Sequence, residues 1–328
     1  MPRTLILGGA GFIGYHLGMR LAADGHDLTL VDDLSRGRRD PELAALCRRP
    51  GVRLLEADLT RPGSLEGLPL DWDQVYMLAA VVGVRNVVQD PSRVIRVNTL
   101  ALLHLLDWLP ARGEVLFFAS TSENYAGSVA AGHVPVPTPK NVPLSIPDIA
   151  APRWSYAASK ILGEAAVIHA GRARGLRYVV GRFHNVYGPR MGADHVIPEL
   201  VLRALGREDP FRLYGAGQRR AFCHVSDAVE AMVRLVGTAG AWGQVVNIGN
   251  DSEETRVDEL VRLVLDCAAF SPALEEMPAP VGSVDRRCPD LSRLRALTGF
   301  QPKIPLAAGV RETFLWYRDW AARGRAGR

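Results

Sequence analysis

The stretch LILGGAGFIG, residues 5–14, decides the fold of this chain. It places Gly8, Gly11 and Gly14 directly after an apolar run and at the start of a helical stretch. Glycines at this spacing allow a tight turn, a close approach of the backbone to a pyrophosphate, and close packing of the following helix on the strand. The stretch therefore predicts the first strand and helix of a dinucleotide-binding βαβ unit.

An acidic residue ends the second apolar strand. Asp32 follows the apolar run at residues 28–31. A carboxylate at this place accepts hydrogen bonds from the adenosine ribose and repels a 2′-phosphate, so the pattern predicts NAD rather than NADP. The nearby Arg36 weakens this preference. The pyrophosphate is expected at the start of the first helix, beside the amides of Phe12 and Ile13.

Further apolar runs alternate with helical stretches, which is typical of a parallel sheet covered on both faces. The predicted fold is α/β, with a Rossmann-like doubly wound parallel sheet over residues 1–182. Residues 183–328 are predicted to form mainly a smaller mixed α/β substrate lobe, from which some segments return to the first domain. Asp58 and Leu59 end the third strand. Asp58 is interpreted either as a partner of the adenine amino group or as the cap of a helix or turn.

The composition argues against several other classes of protein. Of 39 basic residues only three are lysines, and the arginines are dispersed, so the basic stripe of a nucleic-acid binder is missing. The four cysteines have no metal-ligand spacing, which predicts a protein without a metal in a reducing, cytoplasmic compartment. No apolar run reaches the ~18 residues of a membrane span, so no membrane association is expected.

Two short runs carry the candidate catalytic groups. Thr121, Ser122 and Glu123 follow the fifth apolar run, where reacting groups are expected in an open α/β sheet. Tyr156 and Lys160 lie four residues apart, on one helical face, and are predicted to contact the cofactor as well as to act in catalysis. An ammonium ~4 Å from the phenol supplies roughly the 4 kcal/mol needed to ionise it at neutral pH, at an effective dielectric of ~20. Tyr156 is therefore predicted to take the proton of a substrate hydroxyl, whose oxygen also accepts a hydrogen bond from Thr121.

Six motifs together resemble those of extended short-chain dehydrogenases/reductases that act on nucleotide sugars. This resemblance covers nearly the whole chain and implies an NAD-dependent enzyme with a nucleotide-diphospho-sugar bound under the C-terminal lobe. It implies that Asn185 and Arg220 contact the diphosphate and that Tyr214 lies near the base. It also implies a homodimer formed by helices near residues 91–109 and 154–170. The motifs are GGAGFIG (8–14), STSE (120–123), YAASK (156–160), RFHNVYGPRMG (182–192), LYGAGQRRAFCHVSDAVEAM (213–232) and VVNIGN (245–250).

Three local features resemble UDP-glucuronate decarboxylases within that family. The Thr-Ser-Glu run has no acid at Ser122, where 4,6-dehydratases of the dTDP-glucose type have one, and it has Glu123, which simple 4-epimerases do not need. The run at residues 152–154 resembles both the decarboxylases and the UDP-apiose/xylose synthases. The run at residues 285–290 resembles the decarboxylases, and in it Arg287 matches an active-site arginine, although Cys288 replaces the usual lysine.

This closer resemblance implies decarboxylation of UDP-glucuronic acid to UDP-xylose, UDP-4-keto-xylose or both. Arg287 is interpreted as a catalytic residue, with a phosphate contact or an exposed loop as alternatives. Competing activities are those of a UDP-apiose/xylose synthase, a 4-epimerase and a 4,6-dehydratase. A non-catalytic nucleotide sensor on the same scaffold is the alternative from a different class.

Overall fold

The alternating pattern of the sequence becomes an alternation of strands and helices. The structure is a computed structural model that describes residues 1–279 and 283–326. The strands are β1 (Arg3–Leu7), β2 (Asp27–Asp32), β3 (Val52–Glu56), β4 (Gln74–Met77), β5 (Val115–Thr121), β6 (Arg177–Phe183), β7 (Val186–Tyr187), β8 (Phe211–Tyr214), β9 (Arg219–Ala221), β10 (Cys223–His224), β11 (Gln244–Ile248), β12 (Glu254–Arg256), β13 (Leu274–Met277) and β14 (Arg286–Arg287).

Helices connect most of these strands. The α-helices are α1 (Phe12–Ala23), α2 (Pro41–Cys47), α3 (Val84–Gln89), α4 (Pro91–Trp108), α5 (Ala126–Ala130), α6 (Ser155–Arg174), α7 (Val196–Leu205), α8 (Val225–Gly237), α9 (Val257–Cys267), α10 (Ser292–Thr298) and α11 (Leu306–Ala326). Short 3₁₀ helices lie at Ser122–Tyr125, Pro152–Trp154 and Ala239–Ala241.

The central sheet has seven strands in the order β11-β6-β5-β4-β1-β2-β3. All of its neighbouring strands are parallel. The strand order reverses between β1 and β4, and in such sheets ligands bind at the carboxyl ends of the strands beside this reversal. This topology confirms the predicted Rossmann-like fold. The strand at one edge, β11, comes from the second half of the chain and pairs with β6.

An apolar layer covers each face of the sheet. Along β1, Ile6 packs into one layer, whereas Leu5 and Leu7 pack into the other, because alternate side chains of a strand point to opposite faces. All three side chains are fully buried. Burial of each contributes about 1.5–3 kcal/mol, so both layers stabilise the strand that positions the glycine turn.

In the described part of the second half of the chain there are three small sheets, in the pairings β10-β7, β12-β9-β14 and β13-β8. The pairing of β14 with β9 is parallel and puts Arg287 opposite Arg220. Residues 136–140 run beside β14: the Thr138 amide donates to the Cys288 carbonyl at 2.9 Å, and the Asp290 amide donates to the Thr138 carbonyl at 2.9 Å. These bonds fix this segment to the residues that directly follow Arg287. No helix among the described residues has the length and apolar character needed to cross a membrane.

Candidate active site

The glycine turn after β1 has the geometry that a dinucleotide requires. Gly8 has φ +87°, in the region that favours glycine. A Cβ on Gly14 would lie 2.1 Å from the Gly8 carbonyl oxygen, so no other residue fits without moving the turn. Helix α1 starts with Gly11 as its N-cap and no side-chain cap. The first amides of the helix, those of Phe12 and Ile13, are therefore available to phosphate oxygens.

Asp32 and Asp58 lie at the carboxyl ends of neighbouring strands, beside this turn. The Asp32 carboxylate accepts hydrogen bonds from the amides of Ala10, at 3.0 Å, and Leu34, at 2.9 Å. Burial raises the pKa of Asp32, and these two amides oppose that shift. Asp58 accepts from the amide of Thr60 at 2.9 Å and from its hydroxyl at 2.7 Å, which is the turn-capping arrangement. Asp58 and Leu59 also line the main cavity.

One cavity of about 470 Å³ joins the glycine turn to the catalytic groups. The residues predicted to bind the dinucleotide and those predicted to be catalytic line this same cavity. Its walls include Gly8, Gly11, Phe12, Ile13, Gly14, Asp32, Asp58, Leu59, Thr121, Ser122, Glu123, Tyr156, Lys160, Asn185 and Arg287.

Tyr156 and Lys160 lie on α6, with the lysine ammonium 5.8 Å from the centroid of the tyrosine ring. Burial raises the pKa of Tyr156, Glu123 raises it further, and Arg36 opposes the shift. Burial also lowers the pKa of Lys160 to about 8, against the attraction of Glu164. The protein by itself therefore holds Tyr156 as a neutral phenol, which donates a hydrogen bond, beside a lysine that is mostly charged at neutral pH.

A buried asparagine holds the start of α6 against the loop after β4. Asn98 Nδ2 donates to Ser159 Oγ at 3.1 Å and to the Val81 carbonyl at 3.2 Å, while its Oδ1 accepts from the Val81 amide at 2.7 Å. Ser159 Oγ in turn donates to the Tyr156 carbonyl at 2.7 Å. Because Asn98 is 6% exposed, these bonds form away from solvent and fix the turn that carries Tyr156.

Glu123 and Arg287 meet in the wall of the cavity although they are far apart in the sequence. Arg287 Nη1 lies 3.7 Å from Glu123 Oε1, and their side chains are 14% and 24% exposed. The 3₁₀ helix after β5 positions Glu123, whose amide donates to Thr121 Oγ1 at 3.2 Å. The β14-β9 pairing positions Arg287. The pair therefore adds a carboxylate and a guanidinium to the groups around Tyr156.

Two predicted substrate residues lie outside the lining of this cavity. Arg220 lies beside Arg287 and donates to Gln218 Oε1 at 2.9 Å and to the Asp285 carbonyl at 3.1 Å. Burial and the charge of Arg287 lower the pKa of Arg220 to about 10, so it stays charged at neutral pH. Tyr214 ends β8 and is 43% exposed. Asn185 does line the cavity, and its Nδ2 donates to the Ala221 carbonyl at 3.0 Å.

Several cavity residues were not assigned to the site from the sequence. Arg36 crosses to the loop after β4, where it donates to the Val82 carbonyl. Arg190 has φ +65° and donates to Asp40 Oδ2 at 2.7 Å, which ties the segment after β7 to the loop after β2. Burial lowers the pKa of His195 to about 4, so it is neutral at physiological pH. The only sequence signal for Arg190 was its place in the RFHNVYGPRMG motif.

A sequence comparison identifies the family. The family model described as "NAD dependent epimerase/dehydratase family" matches residues 4–249. The chain belongs to this family. This match, together with the relatives described below, confirms the predicted extended short-chain dehydrogenase/reductase family and its resemblance to UDP-glucuronic acid decarboxylases. The protein is therefore an enzyme of that family by descent and by fold.

Three known proteins show what this member of the family is similar to. UDP-glucuronic acid decarboxylase 1 of Danio rerio is 30% identical over 319 residues, which cover 96% of this chain and 72% of that protein. UDP-N-acetyl-alpha-D-glucosaminuronate decarboxylase of Bacillus cytotoxicus is 30% identical over 330 residues, covering 97% and 98% of the two chains. The solved UDP-glucose 4-epimerase of Thermus thermophilus, in complex with NAD, has a TM-score of 0.80 and 29% identity, covering 96% of this chain and 99% of the other.

The cofactor of this family member is NAD, as the sequence predicted. The residues present fit it: the glycine turn has no side chain where a pyrophosphate is expected, the first helix amides have no side-chain cap, and Asp32, the predicted ribose acceptor, ends β2 as a buried carboxylate. Within the described parts of the chain, no group of three or more His, Cys, Asp or Glu side chains is arranged to hold a metal ion.

Proposed function

We propose that this enzyme decarboxylates UDP-glucuronic acid through a 4-keto intermediate and releases UDP-xylose, UDP-4-keto-xylose or both. The observation that carries the proposal is the 3.7 Å approach of Arg287 to Glu123 in the wall of the cavity that Tyr156 also lines. Oxidation of a hydroxyl needs only Tyr156, Lys160 and Thr121, whereas decarboxylation also needs groups that hold a carboxylate and deliver a proton. The two relatives named as decarboxylases support this assignment.

The chemistry begins at the C4 hydroxyl of the sugar. NAD, when bound, supplies the oxidation at C4 and the later reduction there. When cofactor and substrate are bound, Tyr156 acts as the phenolate, which the charge of Lys160 stabilises, and it takes the proton of the C4 hydroxyl. Thr121 lies at the end of β5, where its hydroxyl can donate to the same oxygen. The product of this step is a ketone at C4.

Once C4 is a ketone, the C6 carboxylate is β to a carbonyl group. The C5–C6 bond breaks, CO₂ leaves, and the electron pair enters an enolate whose charge lies on O4. Thr121 and the reprotonated Tyr156 donate to that oxygen and stabilise the charge. The raised pKa of Tyr156 favours this role, because it keeps the phenol protonated and able to donate.

A proton must then reach C5, and we assign its delivery to Glu123 and Arg287. A guanidinium stays protonated at physiological pH, so Arg287 orients a carboxylate and does not itself give up a proton. Glu123 can relay the proton, because a carboxyl group both accepts and donates one. The pair thus divides the work: Arg287 binds charge, and Glu123 transfers the proton.

The arginines beside the pair support an anionic sugar. Burial and the neighbouring charges of Arg287 and Arg153 lower the pKa of Arg220 to about 10, against the attraction of Asp285, because nearby like charges repel. This mutual repulsion is relieved when anions bind between them. UDP-glucuronic acid brings a diphosphate and a carboxylate, whereas a neutral UDP-hexose brings the diphosphate alone.

Incubation of the enzyme with UDP-glucuronic acid and NAD should give a nucleotide sugar lighter by the mass of CO₂, detected by mass spectrometry. Substrate labelled with ¹³C at C6 should release the label as ¹³CO₂. A product of unchanged mass would instead identify an epimerase, and loss of water would identify a dehydratase. UDP-N-acetylglucosaminuronic acid, run in parallel, distinguishes the two kinds of decarboxylase activity.

We propose in addition that the enzyme is a homodimer formed through α4 and α6. These helices pack on each other within the chain. They still expose large apolar side chains: Ile95 is 45% exposed, Leu103 41% and Leu162 51%. Burial of such side chains between two copies would stabilise the pair by about 25 cal/mol per Å² of apolar surface.

Sedimentation equilibrium should give twice the chain mass for the unmodified protein. Leu103→Glu should shift the equilibrium toward the monomer, because it places a charge in the proposed interface. Leu274→Glu is a matched control, since Leu274 is 47% exposed on β13, away from α4 and α6. A monomeric mass for the unmodified protein at all concentrations would contradict the proposal.

A further inference from the structure

A buried carboxylate joins the two catalytic runs. Glu164 lies on α6, one helical turn after Lys160. Its oxygens accept hydrogen bonds from Ser120 Oγ at 2.5 Å, Asn124 Nδ2 at 2.8 Å, and Arg182 Nε and Nη2 at 2.8 and 2.6 Å. The Glu164 and Arg182 side chains are 4% and 6% exposed. A buried ion pair this fully bonded is costly to break, because loss of one partner strands the other charge.

The hydrogen bonds to Glu164 connect helix α6 to both ends of the Thr121–Glu123 loop. Ser120 directly precedes Thr121, and Asn124 directly follows Glu123, so Glu164 holds both ends of the loop that carries the sugar-facing groups. The same helix carries the Tyr156/Lys160 pair. Glu164 therefore fixes the distance between a donor on the loop and an acid/base group on the helix.

The charge of Glu164 also acts on Lys160. Lys160 is 3% exposed, and this burial disfavours its charge, whereas the Phe118 ring, whose centroid lies 4.9 Å from the ammonium, attracts it. Two titratable groups of α6, Tyr156 and Glu164, lie next to Lys160. Charged groups from other elements act on these two in turn: Arg182 of β6 pairs with Glu164, while Glu123 after β5 and Arg36 after β2 shift the pKa of Tyr156. Glu164 is the group whose attraction supports the charge of Lys160.

We propose that Glu164 is a positioning residue for the redox step: it locks the Thr121–Glu123 loop against the Tyr156 helix and holds a negative charge beside Lys160. This step is common to the family, so the proposal does not depend on which nucleotide sugar the enzyme uses. It assigns to the Glu164–Arg182 pair a role that a merely structural ion pair would not have, namely control of the protonation of Lys160.

The chain has only three lysines, so Lys160 can be observed directly. NMR of protein labelled with ¹³C at the lysine ε-carbon should show three titrating signals, and Lys160→Met identifies the one of interest. In Glu164→Gln, the Lys160 pKa should fall below the wild-type value of about 8. Glu208→Gln is the control, because Glu208 accepts two hydrogen bonds from Arg203, at 2.8 and 2.8 Å, in a more exposed place outside the cavity. An unchanged Lys160 pKa in Glu164→Gln would overturn the proposal.

The dependence of the NADH-formation rate on pH is a second test of the same downward shift of the Lys160 pKa. Lys160 is charged below its pKa, so its support of Tyr156 is lost as the pH rises through that value. Glu164→Gln should therefore move the alkaline limb of the NADH-formation rate to lower pH, whereas Glu208→Gln should leave it in place. A profile that keeps its wild-type shape would count against the proposal.

Asn124→Ala tests the positioning role if Glu164→Gln does not fold. It removes one anchor of the loop and keeps the ion pair. The assay uses UDP-glucuronic acid or UDP-glucose, depending on which of the two reduces NAD. In Asn124→Ala, kcat should fall about 10- to 100-fold, because a small displacement of the Thr121–Glu123 loop misplaces its catalytic groups. NADH affinity and the Lys160 pKa should stay at their wild-type values. A wild-type kcat would show that the loop does not depend on this anchor.

Discussion

Replacement of Tyr156 by Phe should lower kcat by about 10²- to 10⁴-fold, the usual contribution of a positioned acid/base group. The variant keeps the ring and loses the hydroxyl that we propose exchanges a proton with the C4 oxygen of the sugar. Because the ring lines the cavity without forming the glycine turn, NADH affinity should be unchanged. Stopped-flow absorbance of NADH with UDP-glucuronic acid measures the rate, and fluorescence titration measures the affinity.

The wild-type rate should also depend on pH in a way that the variant does not. Lys160, with a pKa of about 8, loses its charge as the pH rises through that value, so the NADH-formation rate should fall there. The residual rate of Tyr156→Phe should not fall in this pH range, since the variant has no phenolate for Lys160 to stabilise. Tyr76→Phe is a suitable control: its hydroxyl donates to Gln74 at 3.0 Å, away from the cavity. A kcat for Tyr156→Phe within tenfold of wild type would contradict the assignment of Tyr156 as the acid/base group.

Replacement of Glu123 by Gln should separate oxidation from decarboxylation. Glu123 raises the pKa of Tyr156, so removal of its charge should ease the deprotonation of the phenol and leave NADH formation intact or faster. Release of CO₂ and formation of the pentose product should fall about 100-fold, because the variant lacks the group proposed to relay a proton to C5. Single-turnover NADH absorbance and ¹³CO₂ release, recorded on the same sample, resolve the two steps.

Arg287→Ala should have the same selective effect, since it removes the partner of Glu123 and a binding group for the sugar carboxylate. The adjacent Arg286 provides a matched control. It pairs with Glu254 at 2.7 and 2.9 Å and is an exposed residue of the same strand. Arg286→Ala should therefore retain both steps. Equal losses of oxidation and decarboxylation in Glu123→Gln and Arg287→Ala would refute the division of roles.

The agreement between sequence and structure is closest where the signal is local. The order of strand, glycine turn and helix around Gly8, Gly11 and Gly14 follows from spacing and from the steric freedom of glycine, both of which are properties of neighbouring residues. The same holds for Asp32 at the end of β2 and for the helix that places Tyr156 and Lys160 one turn apart. Family membership, fold and cofactor rest on these local patterns and are confirmed.

Sequence and structure agree less well where the surroundings of a side chain decide its protonation or its partners. From the sequence, Lys160 was expected to promote ionisation of Tyr156, whereas in the folded protein burial and Glu123 raise the pKa of the phenol. Burial is a property of the whole fold, and no spacing rule supplies it. Glu164 shows the same limit: it lies four residues after Lys160, a spacing visible in the sequence, but its bonds to Ser120, Asn124 and Arg182 depend on three other elements.

The sequence by itself determined the dinucleotide-binding fold, its preference for NAD, and the identity of the two runs that carry Thr121, Glu123, Tyr156 and Lys160. Tertiary structure alone decided that Arg287 reaches Glu123, that Arg220 lies beside Arg287, and that Tyr214 stays outside the cavity lining. The physical reason is the range of the interactions. Turns and helical faces are set within a few residues, whereas the meeting of Glu123 and Arg287 requires β14 to pair with β9 from a distant part of the chain.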